Sequence, residues 1–392
     1  MRQKLVILKH TPSSEDFYSL YWNKRPFIVR GAIPLNSLED LITADELAGL
    51  SLEEAPQSRM VKTADDLKDW SCQFGPLSED DFKDAGEKGW VLLVQNVEQF
   101  HPQTARLLHH FNFAPRWLMD DIMVSYSTPG GTVGPHIDSY HVFLVQGKGV
   151  RRWKVGCNLI DNEVYVRGLE LKILADEYEG DEIEVKSGDV LYLPPRYAHE
   201  SITLENSLTF SVGFLGPKLS ELFGAYGQYL SELEECDKRY VGMDLTGDSA
   251  GFKISCDAVN HLRSQLSEQL SSKGFTEWLG AFFSGSSHEG FGNYSERKAI
   301  LNVKCLKKKL NEGANLTKPE YVKFAITKTN SGCSQLGFDN QNFILQETLI
   351  PTIQKFMSEE FVNMKNTPSL LDDSVNLEIL LDLYNHQAIE LV

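Results

Sequence analysis

Between residues 121 and 215 the chain breaks into short apolar runs separated by glycine and proline: "IMVSYS", the turn "TPGGTVG", "HVFLVQ", "GKG", "RRWKV", "DEIEV", "VLYL" and "SLTFSVGFL". Short strands with frequent turns read as a β-sandwich or barrel, and the more helical N-terminal part should pack outside it. At 392 residues the chain exceeds what one core usually serves, so two or three domains are expected. Hydrophobic residues make up 42% and aromatics 10%, enough for packed cores of ordinary size.

The flanks differ in texture. Residues 13–25, "SSEDFYSLYWNKR", predict a short helix capped by Ser13 or Ser14 and ended by Pro26, with "FIVRGAI" following as a strand. After "GPKLS", Leu219, Leu222, Phe223, Tyr226, Leu230 and Leu233 mark one face of a helix, and a second helix is expected near 256–272. "FTEWLGAFF" adds five large apolar residues, which either bury on this small helical domain or form a self-association surface. A Gly/Ser linker is read at 284–292. Beyond it come helices around 294–312 and 318–324, a hairpin from "KFAITKTNSG" and "NFILQET", and C-terminal helices, an order that resembles a winged helix. The expected domains are 1–216, 217–283 and 284–392.

Acidic residues (55) outnumber basic ones (38), giving a formal charge of −17. Such a chain repels nucleic acid and favours basic partners. Lys304, Lys307, Lys308 and Lys309 read first as a solvated helix face; a nucleic-acid contact is the alternative. Six scattered cysteines with no C-x-x-C pair point to a reducing compartment, and neither a signal peptide nor a membrane span is visible, so a cytoplasmic location is expected.

"GPHIDSYHVFLVQ", read as a strand, puts His136 and Asp138 on one face and His141 on the other. "SGDVLYLPPRYAHES" presents His199 after a stiff double-proline exit. Two imidazoles and one carboxylate leave open positions on a metal, the pattern of non-haem Fe(II) oxygenases. No adjacent glutamate suits a hydrolytic zinc site. In "GVRRWKVG", Arg151 shares its face with Trp153 and Val155, so it must be buried and needs an anion: an internal carboxylate or a bound one. Ser127, just before the glycine turn, is a second candidate for that bound carboxylate, or a turn cap. Tyr126 and Tyr140 are candidates for a peptide groove, or for core and rim positions.

"YSTPGGTVGPHIDSYHVFLVQGKGVRRWKVG", "GDVLYLPPRYAHES" and "YWNKRPFIVRGAI" resemble the Jumonji-C (JmjC), cupin-like 2-oxoglutarate oxygenases, specifically the bacterial ribosomal oxygenases. The resemblance implies an α+β chain: a double-stranded β-helix, then a helical dimerisation domain and a winged-helix-like domain. It implies Fe(II) held by His136, Asp138 and His199, with no catalytic side chain beyond the iron centre. It places Arg151, and less directly Ser127, on 2-oxoglutarate, and the arginine rather than lysine at 151 suits the bacterial branch. The implied reaction uses molecular oxygen, releases succinate and carbon dioxide, and hydroxylates the β-carbon of an arginine in large-subunit ribosomal protein sixteen, with the enzyme a homodimer. Hydroxylation of another basic protein, or a ligand-sensing cupin with a nucleic-acid-binding winged helix, is the alternative.

Overall fold

The computed structural model describes residues 4–64, 70–236, 239–242, 245, 247, 251–285, 300–319, 322–328, 332–339, 341–358 and 361–392. Most of the expected linker at 284–292 lies outside them. The chain divides into two compact units, the first ending at Gly216 and the second beginning at Pro217.

The first unit contains strands β1 (Val6–Leu8), β2 (Phe27–Val29), β3 (Ser58–Thr63), β4 (Trp70–Phe74), β5 (Trp90–Val94), β6 (Met119–Ser127), β7 (His141–Lys148), β8 (Val150–Leu159), β9 (Gly180–Lys186), β10 (Val190–Leu193), β11 (Tyr197–Thr203) and β12 (Ser207–Phe214). Nine form one sheet in the order β1-β2-β10-β7-β12-β6-β5-β3-β4, and β11-β8-β9 form a second. Strand alternation decides what each face meets. On β7 and β10, Phe143, Val145, Val190 and Tyr192 join the large core on the outer face, where Phe17, Phe27 and Phe111 also pack. Val142, Leu144, Leu191 and Leu193 point the other way and pack against Trp153, Val155 and Val185 of the small sheet. Phe143 and Phe17 are fully buried, each stabilising the fold by about 2–3 kcal/mol relative to exposure.

One expectation is corrected here. The N-terminal part does not simply cover a barrel: it contributes β1 to β5 to the large sheet, and helix α1 (Ala44–Ser51) packs beside them. "WVLLV" of β5 is buried at every position, so it carries no alternation to betray a strand. The capped N-terminal helix is also shorter than expected, Ser14–Asp16 continuing as a π-turn through Tyr21, with Ser13 as its cap.

Tight turns pass the chain from sheet to sheet. Gly149 (φ +71°) joins β7 to β8, and a Cβ there would lie 2.3 Å from the Asn206 carbonyl oxygen. Before β10, the Asp189 carboxylate accepts from the Gly31 and Lys186 amides at 2.9 and 3.0 Å and pairs with Arg30 at 2.6 Å.

In the second unit, α2 (Leu219–Ser231), α3 (Cys256–Leu270) and α4 (Lys273–Ser284) precede α5 (Val303–Asn311). Tyr226 of α2 packs on Trp278 of α4 with ring centroids 4.8 Å apart. The expected hairpin is a three-stranded meander, β13 (Ala325–Lys328), β14 (Ser334–Phe338) and β15 (Gln341–Leu345). Helix α4 lies against it: Gln335 and Asn342 donate to the Glu277 carboxylate and carbonyl, and Gly280 and Gly337 let the backbones meet. Helical segment and sheet thus share a packed face across residues 283 and 284. The expected helix at 318–324 is absent from its described residues, where the Lys318 ammonium donates to the Pro319 and Val322 carbonyls instead. Helices α6 (Ile350–Ser358) and α7 (Ser374–Asn385) complete this core.

Candidate metal centre

The regular part of β7 starts only at His141, so His136 and Asp138 do not belong to one long strand as expected. Instead His136 forms an isolated antiparallel bridge with His199 of β11, the two exchanging amide-to-carbonyl bonds of 3.0 and 2.9 Å. The Asp138 carbonyl accepts from the Arg196 amide at 2.8 Å, and Arg196 adopts φ +67° directly after the double proline. Main-chain bonds therefore fix all three residues before any ligand arrives.

The two imidazoles are oriented alike. His136 Nδ1 lies 2.9 Å from the Gly134 carbonyl, and His199 Nδ1 lies 3.0 Å from the Tyr197 carbonyl. A carbonyl only accepts, so each Nδ1 carries the proton and each Nε2 lone pair is free for a metal. One donor atom from each of His136, Asp138 and His199 lies within 4.8 Å of the others, and His199 Nε2 is 3.5 Å from Asp138 Oδ2. Burial, followed by the neighbouring His136, pulls His199 down to about 4, which keeps its ring neutral and able to donate.

The triad opens into a cavity of about 350 Å³ that also contains Arg151. Arg151 is buried, with Trp153 and Val155 on its side of β8, while Arg152 and Lys154 point outward to Glu184 and Glu200. Its Nε donates to Ser207 Oγ at 2.8 Å and one terminal nitrogen reaches the Ser125 carbonyl at 3.4 Å. Among the described residues no carboxylate pairs with it, and burial pulls its pKa down to about 9. The internal salt bridge left open by the sequence is thus absent. In the same wall Trp153 Nε1 is a buried donor without a hydrogen-bond partner. Free Nε2 atoms beside a carboxylate suit a divalent metal, and an unpaired guanidinium suits the carboxylate of a bound acid.

Ser127 is placed differently from the expectation. It is fully buried, accepts from Thr203 Oγ1 at 2.7 Å, and does not line the cavity; Ser125, two residues earlier on the same face of β6, does. Of the two tyrosines, Tyr140 lines the cavity, its phenol pushed up by burial and by Asp138. Tyr126 packs on Trp90, with centroids 5.5 Å apart. The turn glycines serve the chain itself: a Cβ on Gly131 would lie 2.5 Å from the Trp90 carbonyl oxygen, and one on Gly134 would press on Trp70 and Ile173. Ser125 and Ser207 carried no motif that sequence reading could have used, and Trp153 was read only as a neighbour of Arg151 on its strand.

His141 faces away from the cavity, stacked 3.4 Å from Trp22 with Nδ1 2.8 Å from Tyr192 Oη. Burial lowers it from 6.5 to about 4. The folded chain then binds fewer protons than the unfolded chain below pH 6.5, so this contribution is intact above that value and is lost as pH falls towards 4. One such group is worth up to about 3 kcal/mol. The melting temperature of the metal-free chain should fall across that window, and His141→Phe should flatten the slope, His199 supplying the remainder.

With this geometry in view, comparison with known proteins is decisive. A family described as JmjC domain matches residues 106–222. The chain is 37% identical over 275 residues to the ribosomal protein uL16 3-hydroxylase of Escherichia coli (strain K12), covering 70% of this chain and 72% of that one. The chain belongs to the JmjC-domain ribosomal oxygenases. A probable ribosomal oxygenase of Haemophilus influenzae is 41% identical over 210 residues, 53% of this chain and 51% of that protein. The X-ray structure of E. coli YcfD superposes on this oxygenase over 100% of both chains with a TM-score of 0.81 at 29% identity. E. coli YcfD in complex with cobalt and 2-oxoglutarate matches 97% of this chain and 98% of that one, with a TM-score of 0.78 at 28% identity. Among the described residues of this oxygenase, no helix is long and apolar enough to cross a membrane.

Proposed function

We propose that this oxygenase holds Fe(II) between His136, Asp138 and His199, anchors 2-oxoglutarate on Arg151, and hydroxylates the β-carbon of an arginine in ribosomal protein uL16. The observation that carries the reading is one cavity lined by three convergent donors and a buried guanidinium without a carboxylate. The E. coli relative is named for 3-hydroxylation of uL16, and carbon 3 of an amino acid is its β-carbon. Bound iron, with 2-oxoglutarate and molecular oxygen, supplies an oxidant able to attack an unactivated C–H bond. One oxygen atom ends in succinate as carbon dioxide leaves; the other becomes the hydroxyl.

The protein's part is placement. The main-chain ties of His136 and His199 aim both Nε2 atoms, and Asp138 supplies the negative charge that offsets part of the metal's. Arg151, steadied by Ser207 and Ser125, takes the far carboxylate of the cosubstrate. Ser127 acts from behind the wall, holding Thr203 at the end of β11. Leu93, Val142, Leu144 and Trp153 line the cavity with apolar surface that limits water near the reacting bond.

The second unit has a separate role in this reading. Leu219, Phe223 and Leu266 are more than half exposed in the single chain, which favours 217–283 as a homodimer surface, leaving 284–392 as a winged-helix-like region. A net charge of −17 suits docking of a basic ribosomal protein, and such a substrate places the enzyme in the cytoplasm.

Mass spectrometry of uL16 from cells with and without the gene tests the assignment. One arginine should carry an added oxygen only when the gene is present. An oxygen that persists in the deletion strain, or that lies on another protein, would overturn the substrate assignment.

A further inference from the structure

A second guanidinium stands in the same cavity, unused by the chemistry above. Arg59 lies on β3, in a cross-strand row that runs Phe74, Arg59, Leu93, Ser125, Thr209 over strands β4, β3, β5, β6 and β12. All five line the cavity. Phe74 at one end is 59% exposed, whereas Leu93 is buried, so Arg59 sits at the lip. Its Nε is fully buried and has no hydrogen-bond partner, and among the described residues no carboxylate is within ion-pair distance, although Glu170 lines the same cavity. In a chain with 55 acidic residues, an unpaired arginine with a buried donor is costly unless a ligand completes it.

The chemistry of that ligand is limited. A guanidinium has donors only, so its partner must be an acceptor. The cationic side chain of a substrate arginine is therefore excluded from this side of the cavity. Ser125, where Arg151 is anchored, lies two strands away in the sheet, roughly 10 Å at the usual strand spacing. That separation puts Arg59 at the lip and the carboxylate clamp deeper in. A polypeptide crossing the lip presents a carbonyl at every residue, and Phe74 offers a flat apolar surface beside it. We infer that Arg59 is a substrate-binding residue that donates to a main-chain carbonyl of the protein substrate next to the hydroxylated residue, holding that segment at the lip. This rests on the function proposed above.

Steady-state assays on the full-length iron-loaded enzyme with uL16 test it, using Arg59→Met and Arg59→Lys. Arg59→Met should raise KM for uL16 about tenfold, the loss of one charge-assisted hydrogen bond, with kcat little changed. KM for 2-oxoglutarate should not move. Arg59→Lys should recover part of the loss and guards against a folding defect in the methionine variant. An unchanged KM for uL16 would overturn the inference, and so would a rise confined to 2-oxoglutarate. A uL16 whose nearby Asp and Glu are replaced by Asn and Gln gives a further arm. If native enzyme binds it as weakly as Arg59→Met binds native uL16, the acceptor is a side-chain carboxylate and the main-chain assignment is wrong. If native enzyme leaves uL16 unmodified, the proposed function itself fails, and this inference with it.

Discussion

Asp138→Ala should abolish hydroxylation and weaken metal binding by more than roughly 100-fold, the upper end of what losing even an outer partner of a metal ligand costs. The chain should still fold. What ties residue 138 into the structure is its carbonyl, which accepts from the Arg196 amide, and that bond survives the substitution. Among the described residues the carboxylate pairs only with His199, which burial keeps neutral, so stability does not rest on an ion pair there. Calorimetric titration with Co(II) or Mn(II) reads the metal loss directly, with no turnover needed. His141→Ala is the control, because His141 sits on the far face of the large sheet against Trp22 and Tyr192. It should lower stability and leave metal affinity unchanged. Equal metal loss in both variants would mean that the triad is not the site.

The contrast between Asp138 and His141 was read from the sequence by strand parity, and the two residues do face apart, although 136–138 precede β7 instead of belonging to it, so the rule held only from His141 onward. The same rule separated Arg151 from Arg152, and the structure buries the first and leaves the second on a surface pair with Glu184. Parity gives no depth, however. Ser125 and Ser127 share a face of β6, and only the packing of the turn at Gly131 decides that the first lines the cavity and the second is sealed behind it. Nor could the pattern show β5, which is apolar at every position, or β14, whose "SQLGF" is buried against α4 despite a polar start. Arg59 escaped for the same reason: until β3 is known to pair with β5, "SRMVKT" has no inner face.

Arg151→Met should cost binding and not stability. In the ligand-free chain the Arg151 guanidinium is buried with only Ser207 and a long contact to the Ser125 carbonyl as partners, and burial has already lowered its pKa to about 9. A buried charge without a counter-charge is a net cost, which methionine, of similar length, removes; the metal-free variant should melt at or above the native temperature, a gain on the order of 1–3 kcal/mol. The acid that completes the guanidinium is then no longer held. The 2-oxoglutarate concentration for half-maximal turnover should rise about 100-fold, the range expected for losing a bidentate charge-assisted contact. Arg151→Lys should fall between, since an ammonium supplies the charge without the planar fork. The two readouts separate the roles: 2-oxoglutarate should raise the melting temperature of the native enzyme strongly and that of Arg151→Met hardly at all, while Co(II) affinity stays equal in both. A variant that melts several kcal/mol below native before any ligand is added would instead make Arg151 a structural residue of β8, and the cosubstrate would have to be anchored elsewhere in the cavity.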